Sequence, residues 1–287
     1  MKVNKDWKDY QIIATSNGEK LEQWGSYVLL RPDPQIIWKG KDLSKQKPLH
    51  AHYLRSNTGG GKWDIKQQSM PEEWQIAWKD LKFKVKLMGF KHTGVFPEQA
   101  YNWQVMMNLI KNAGRPIKVL NLFAYTGGAT VACAKAGAHV THIDASKGMI
   151  AIARENLAIS GLADAPVRTI VEDCQKFVER EIKRGNFYDA IIMDPPSYGR
   201  GPKGEIWKLE EKLFEFVCLT TKVLSDRPLF VLVNSYTTGL QPSVIKNVMQ
   251  LAYGQKFDTY DAYELGLPTQ EGINLPCGSS CIAINKE

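Results

Sequence analysis

No uninterrupted apolar run in this sequence approaches the ~20 residues that a membrane-spanning helix needs, so no membrane span is expected. The opening residues, Met1-Lys-Val-Asn-Lys-Asp-Trp7, carry no apolar stretch behind their charges, and no secretory signal is expected either. Cysteine is scarce. The five present (Cys133, Cys174, Cys218, Cys277, Cys281) are odd in number, scattered, and never spaced as C-x-x-C. That argues against a disulfide scaffold or a zinc ribbon and for a reducing, cytoplasmic setting. A Gly-x-Ser-x-Gly turn and a metalloprotease helix are both missing. His50-x-His52 has no acidic or cysteine neighbour and reads as a loop pair, and His139 and His142 read as structural histidines on a strand. No metal is expected. Ser56-Asn-Thr-Gly-Gly-Gly-Lys-Trp63 hints at a phosphate loop, yet Ser56 and Trp63 stand where that motif needs Gly and Ser/Thr. It reads as a flexible turn, which disfavours an NTPase. With 44% hydrophobic and 23% charged residues the composition is that of a globular protein, which excludes a disordered chain.

What is present is unevenly spread. Residues 1–90 hold 16 Lys and Arg against 10 Asp and Glu, and residues 91–287 hold 21 against 20, so +6 of the +7 net charge lies in the first third. Six of the eight tryptophans (Trp7, Trp24, Trp38, Trp63, Trp74, Trp78) lie there too. Basic charge among aromatic rings suits a nucleic-acid-binding module. The same pattern suits a small β domain with a tryptophan core and a lysine-rich solvated face.

The grammar of the chain also changes along its length. Tyr10–Thr15 and Ser26–Arg31 are β-rich, with a turn signal at Asn17-Gly18. Lys82–Leu87 alternates charged and apolar residues, as a half-exposed strand does. From about residue 116, strands at Lys118–Phe123, His139–Asp144, Val167–Val171, Tyr188–Met193 and Pro228–Val233 alternate with helices. Those helices are placed at Gly128–Gly137, Lys147–Ile159 behind a Ser146 cap, Cys174–Arg184, Trp207–Leu224 and Ser243–Ala252, before a final antiparallel pair. Alternation of this kind implies a parallel sheet covered on both faces, with ligands at the C-terminal ends of its strands.

Four of those strand ends carry polar residues that a core does not require. Gly127-Gly128 turns the first strand sharply into a helix whose N-terminus favours an anion, although a plain tight connection would look the same. Asp144 ends the next strand, where a carboxylate accepts hydrogen bonds from ribose hydroxyls. Glu172-Asp173-Cys174 follows the third strand, placed to meet an adenine edge. Asp194-Pro195-Pro196-Ser197-Tyr198 follows the fourth. Its two prolines stiffen the exit and remove backbone donors, Asp194 offers an acceptor, and Tyr198 offers a face on which a planar base stacks.

Together these segments resemble the class I S-adenosylmethionine-dependent methyltransferases. Leu122-Phe-Ala-Tyr-Thr-Gly-Gly128, Asp144-Ala-Ser146 and Asp194-Pro-Pro-Ser-Tyr198 are similar to motifs of the bacterial large-subunit ribosomal RNA methyltransferases that modify cytosine carbon-5 or guanine N-7. His92–Gln99 and Leu275-Pro-Cys-Gly278 extend the likeness from about residue 88 to the C-terminus. The resemblance implies an α/β fold, a Rossmann-like seven-stranded sheet, with a β-rich recognition subdomain over 1–90 and the catalytic domain over 91–287. It implies S-adenosylmethionine contacts at Gln99, Phe123, Tyr125, Thr126, Gly127, Gly128, Asp144, Ala145, Asp173 and Cys174. Asp194, Pro195, Pro196 and Tyr198 form the implied catalytic loop, acting on a base in RNA, ribosomal RNA first, as a monomer or homodimer. Three departures stand out. Asn121 replaces the acidic residue that opens the glycine turn, the N-terminal PUA module of many relatives has no counterpart, and Tyr236 occupies the place of the catalytic cysteine of cytosine-modifying relatives. Nitrogen methylation is therefore expected over carbon-5. The alternatives are a displaced cysteine, a non-RNA substrate, a nucleotide-dependent oxidoreductase, or an RNA-binding protein that keeps the cofactor fold without catalysis.

Overall fold

The computed structural model describes residues 1–56, 60–200, 206–237 and 239–285. The turn read at Ser56–Trp63 thus falls partly outside the described residues, at 57–59. The chain forms two compact units, one of residues 2–101 and 266–277, the other of residues 1, 102–265 and 278–287.

After a two-residue strand β1 (Lys2–Val3), the smaller unit is built on β2 (Tyr10–Ser16), β3 (Glu19–Trp24), β4 (Tyr27–Pro32), β5 (Ala51–Arg55) and β6 (Gly61–Ile65), sheeted in that order. Asn17 (φ 54°) and Gly18 (φ 83°) are both left-handed, the conformation that lets a two-residue turn match the twist of its strands. A separate hairpin pairs β7 (Glu73–Trp78) with β8 (Leu81–Lys86). Along β8, Leu81, Phe83 and Val85 are buried while Lys82, Lys84 and Lys86 face outward, as the alternation predicts.

The tryptophans of this unit are structural. Trp24 and Trp78 are fully buried, and Trp7, Trp38, Trp63 and Trp74 are half-buried. Five indole N–H groups are already committed. Trp7 donates to the Pro97 carbonyl (2.9 Å), Trp38 to that of Thr15 (3.1 Å), Trp63 to that of Met88 (2.7 Å) and Trp74 to that of Trp24 (3.0 Å), while Trp78 donates to Asn4 Oδ1 (3.0 Å). These bonds tie the rings to the unit's own backbone and side chains, which supports a structural role for the tryptophans.

In the larger unit, α1 (Ala100–Asn112) precedes β9 (Lys118–Leu122). There follow α2 (Gly128–Lys135), β10 (His139–Asp144), α3 (Lys147–Ile159), β11 (Val167–Val171), α4 (Cys174–Arg184) and β12 (Ala190–Met193). Then come a hairpin of β13 (Tyr198–Arg200) and β14 (Ile206–Lys208), α5 (Leu209–Thr220), β15 (Phe230–Ser235), α6 (Pro242–Tyr253), β16 (Thr259–Pro268) and β17 (Asn274–Ile284). The strands run in the order β16-β17-β15-β12-β9-β10-β11. From β15 to β11 all pairings are parallel, whereas β17 is antiparallel to β15. This is the Rossmann-like α/β arrangement, covered by helices and filled by an apolar core around Leu120, Ile143, Phe177, Ile191 and Val231. The order reverses beside β9, with β10 on one side and β12 on the other. That makes the C-terminal ends of β9 and β12 the topological switch point, where open α/β sheets bind ligands.

Candidate functional site

The chain leaves β9 through a loop that few sequences tolerate. Phe123 (φ 55°), Tyr125 (φ 52°) and Gly127 (φ 84°) are all left-handed, two of them with side chains. The surrounding strand ends hold that shape. Phe123 N donates to Cys174 Sγ (3.2 Å), Ala124 N to the Ile143 carbonyl (3.0 Å) and Tyr125 N to Asp144 Oδ2 (2.8 Å), while Asn156 Nδ2 donates to the Thr126 carbonyl (2.8 Å). Asp144 and Cys174 therefore fix the loop, whatever else they do. Asp144 Oδ1 accepts a second bond from Ser146 N (2.8 Å). Burial raises its pKa above the ordinary 3.8, and these two backbone donors pull the other way.

The glycines also answer to the protein's own packing. A Cβ on Gly127 would stand 3.0 Å from Ala153 Cβ, and one on Gly128 would stand 2.6 Å from Trp103 Cζ2. Gly128 is thus a glycine because α2 opens against the buried Trp103 ring, a cause that the Gly-Gly signal does not reveal. Asn121 lies in a buried chain in which its Nδ2 donates to Thr130 Oγ1 (2.9 Å) and that hydroxyl meets His142 Nδ1 (2.8 Å). Burial lowers the His142 pKa to about 4, so the imidazole that shares this hydrogen bond with Thr130 is neutral. Asn121, where the resemblance implies an acid, is buried and donates into this chain of hydrogen bonds.

Beyond Asp144, the C-terminal edge of the sheet offers exposed Ala145, exposed Asp173 and Val171. Val171, paired with Asp144 in the ladder, is 48% exposed, a bare apolar shelf beside a carboxylate. Asp173 caps α4, its Oδ1 accepting from Lys176 N (2.9 Å). The donor set fits an adenosine ligand. A carboxylate has about four lone-pair sites, two of which here take backbone bonds, leaving others for ribose hydroxyls next to a surface that an adenine ring can cover. Gln99 is buried in a 3₁₀ turn, Pro97–Gln99, and belongs to the smaller unit.

On the other flank of β9, the Asp194-Pro195-Pro196 exit is braced on three sides. Trp207 Nε1 donates to the Pro196 carbonyl (2.7 Å), Leu209 N to the Ser197 carbonyl (3.1 Å) and Thr237 Oγ1 to Ser197 Oγ (2.7 Å). The Pro196 carbonyl is thus spent on the protein itself. Asp194 is half-buried and Pro195 buried, whereas Tyr198, which opens β13, is 51% exposed. Tyr236, just past β15, lies over Gly278, where an added Cβ would meet its ring at 2.9 Å. Trp103, Asn156, Trp207 and Thr237 brace this region without any motif to mark them in the sequence.

Residues 20–209 match the family model of S-adenosylmethionine-dependent methyltransferases, and the chain belongs to that family. The SAM-dependent methyltransferase from Agrobacterium tumefaciens is 33% identical, with a TM-score of 0.93 over 99% of this chain and 93% of that one. Among curated proteins, the ribosomal RNA large subunit methyltransferase K/L of Shewanella frigidimarina is 35% identical over 146 residues, half of this chain. The chain spans about one fifth of that relative's length. SMU.776, crystallised in complex with SAH, shares the fold, with a TM-score of 0.76 at 20% identity over 98% of this chain and 76% of that one. The methyl donor of the family is S-adenosylmethionine. Among the described residues no helix is long and apolar enough to cross a membrane.

Proposed function

We propose that this methyltransferase modifies a base in RNA, ribosomal RNA foremost, at a ring or exocyclic nitrogen, in the cytoplasm. The observation that carries this reading is the braced Asp194-Pro195-Pro196 exit beside the β9 turn, with the exposed Tyr198 ring next to it. Asp144 takes the ribose hydroxyls, Ala145, Val171 and Asp173 border the adenine, and Phe123, Tyr125, Thr126, Gly127, Gly128 and Cys174 shape the turn around the rest of the donor. Gln99 completes the set of cofactor contacts that we assign. Bound S-adenosylmethionine supplies the methyl group on its sulfonium.

The protein's task is then alignment, because in-line displacement needs position more than acid–base power. Asp194 accepts a hydrogen bond from the target amino group, and the two prolines keep that acceptor from drifting. Tyr198 stacks on the extruded base. Carbon-5 of cytosine needs a thiolate, and the cysteines supply none at Tyr236. Cys281 is fully buried in β17 with its pKa pushed up to about 12, and burial pushes Cys277 up as well. The smaller unit, with most of the net positive charge, is assigned to RNA recognition.

Two measurements test this reading. Purified protein given isotope-labelled S-adenosylmethionine and ribosomal RNA should yield a labelled N-methyl nucleoside by mass spectrometry, and Asp194→Ala should abolish it. RNA containing 5-fluorocytosine should give no covalent adduct. A stable adduct, lost in Cys277→Ala or Cys281→Ala, would overturn the nitrogen assignment.

A further inference from the structure

A cleft of about 420 Å³ opens on the smaller unit, lined by Pro32, Asp33, Ile36, His52, Tyr53 and Arg55 among others. That volume lies within the range of small-ligand sites. Its charges do not cancel. Arg31 is held by Glu22 through a bidentate pair (2.5 and 2.7 Å), and Lys20 is held by Asp33 (3.1 Å), so those four neutralise one another. Glu19, the remaining carboxylate of the cleft, is engaged with His52 Nε2 (2.6 Å). Arg55 and Lys91 are left without a carboxylate partner, against the single charge of Glu19, which a neutral His52 does not cancel. Arg55 has no ion pair or side-chain hydrogen bond among the described residues. Lys91 is outside the cleft lining; its Nζ donates to the carbonyl of the lining residue Pro32 (2.8 Å), and it likewise has no carboxylate within ion-pair distance among the described residues. Burial and the neighbouring cations Lys20, Arg31 and Arg55 lower its pKa to about 8, with Asp33 opposing them, as expected where positive charge is locally in excess. In the cleft wall, the hydroxyl of Tyr53 is buried without a hydrogen-bond partner among the described residues. A buried, unsatisfied hydroxyl is uncommon in a folded protein.

We infer that this cleft is a binding site for one nucleotide of an RNA strand, with Arg55 facing the phosphodiester, Lys91 adding positive charge through its place against Pro32, and the Pro32–Ile36 wall holding the base. Both features of a nucleotide are needed to satisfy the cleft. Phosphate answers the surplus positive charge, and a flat, partly apolar ring answers a wall of proline and isoleucine. The site lies wholly within residues 17–91, so it engages a nucleotide other than the one that is methylated. The inference rests on the RNA reading above.

The test is fluorescence anisotropy of the full chain with a labelled single-stranded RNA over a range of salt, alongside calorimetric titration with SAH. Arg55→Ala and Lys91→Gln should each weaken RNA binding roughly threefold to tenfold and lower the salt slope by about one, and Arg55→Lys should recover part of the loss. Tyr53→Phe should weaken binding less, and SAH affinity should be that of wild type in all four. Arg55 is exposed, so its loss leaves the fold intact. If wild type binds RNA and the Arg55 and Lys91 variants bind it equally well with the same salt slope, the cleft is not the site, although the RNA reading stands. If wild type binds SAH and no RNA, both readings fall.

Discussion

Replacing Asp144 separates its two duties. One is to hold the turn after β9, where its carboxylate takes the amide of left-handed Tyr125 on one oxygen and that of Ser146 on the other. A hydrogen bond from an amide to a charged acceptor contributes about 1.5–3 kcal/mol. Asp144 is half-buried, and water can take over part of what is lost, so Asp144→Ala should cost the free protein about 2–3 kcal/mol. The second duty is the ribose. Losing a charged partner there costs roughly another 1.5–3 kcal/mol, a tenfold to hundredfold loss of affinity. Asp144→Asn is the sharper variant. Its amide keeps one acceptor but turns an N–H₂ toward a backbone N–H, so it should melt below wild type despite near-identical size. The carboxyl titrates above its ordinary 3.8 because it is buried. The free fold therefore favours the neutral acid, and the extra stability of that protonated form is lost as pH rises through the raised value, leaving the amide bonds to the carboxylate. Ribose hydroxyls donate to the ionised form, so SAH affinity should fall as pH drops into the carboxylate range, and Asp144→Asn should lack that fall. Calorimetric titration with SAH at pH 7 and at pH 5, beside thermal melts, reads all of this. Wild-type affinity and melting in Asp144→Ala would refute both the turn argument and the cofactor placement.

Gly128→Ala should destabilise the protein by about 1–3 kcal/mol by pressing a methyl into buried Trp103, despite the better helix former it introduces; chemical denaturation measures it, and Trp103→Phe in the same chain should relieve part of the cost. His142 is buried and neutral with its pKa lowered to about 4, so the unfolded chain takes up its proton first as pH falls. Stability should drop by up to ~3 kcal/mol from this group between pH 6.5 and 4, and His142→Gln should flatten that part of the profile in denaturation curves. Lys91 titrates at about 8, below an ordinary lysine, so the fold penalises its charge. Wild type should gain stability between pH 8 and 10 as folded Lys91 loses its proton before the unfolded chain does, and Lys91→Met should show less of that gain in paired melts.

Local chemistry decided which elements could be read ahead of the structure. Val167–Val171 and the helices Lys147–Ile159 and Cys174–Arg184 have the expected bounds, the two helices because caps mark their starts and Gly161 and Gly185 follow their ends. The stretch Trp207–Leu224 reads as one helix, yet Ile206–Lys208 is a strand and α5 begins at Leu209. The cause is Tyr198–Arg200, which pairs with it across an intervening segment, a non-local preference that no window of periodicity contains. Helix α1 follows the Pro97–Gln99 3₁₀ turn with no Ser, Thr, Asp or Asn cap directly before Ala100. In the site, Asp144 and Asp194 stand out because charge at the end of a buried strand is locally anomalous. Trp103, Asn156 and Thr237 do not, because their roles depend on which distant backbone they meet. The tryptophans of the first third illustrate the same limit. Composition counts rings, whereas their use follows from where each indole N–H finds its acceptor.

The stretch 266–277 belongs to the unit that begins near the other terminus, and this bears on how the protein comes into being. Glu271 Oε2 takes both the amide (2.8 Å) and the hydroxyl (2.6 Å) of Thr15, Gln270 N donates to the Ile12 carbonyl (2.9 Å), and Thr269 bridges Ile12. A ribosome delivers Ile12 and Thr15 early, but their partners only after most of the chain has been made. Until then the outer edge of β2 carries unpaired backbone groups, the feature by which sheets recruit unintended strands. The smaller unit is therefore not a segment that can be cut off at its C-terminal boundary and expected to behave as it does in the whole. A chain truncated near residue 265 would keep every strand of the N-terminal sheet, yet leave that edge open for life.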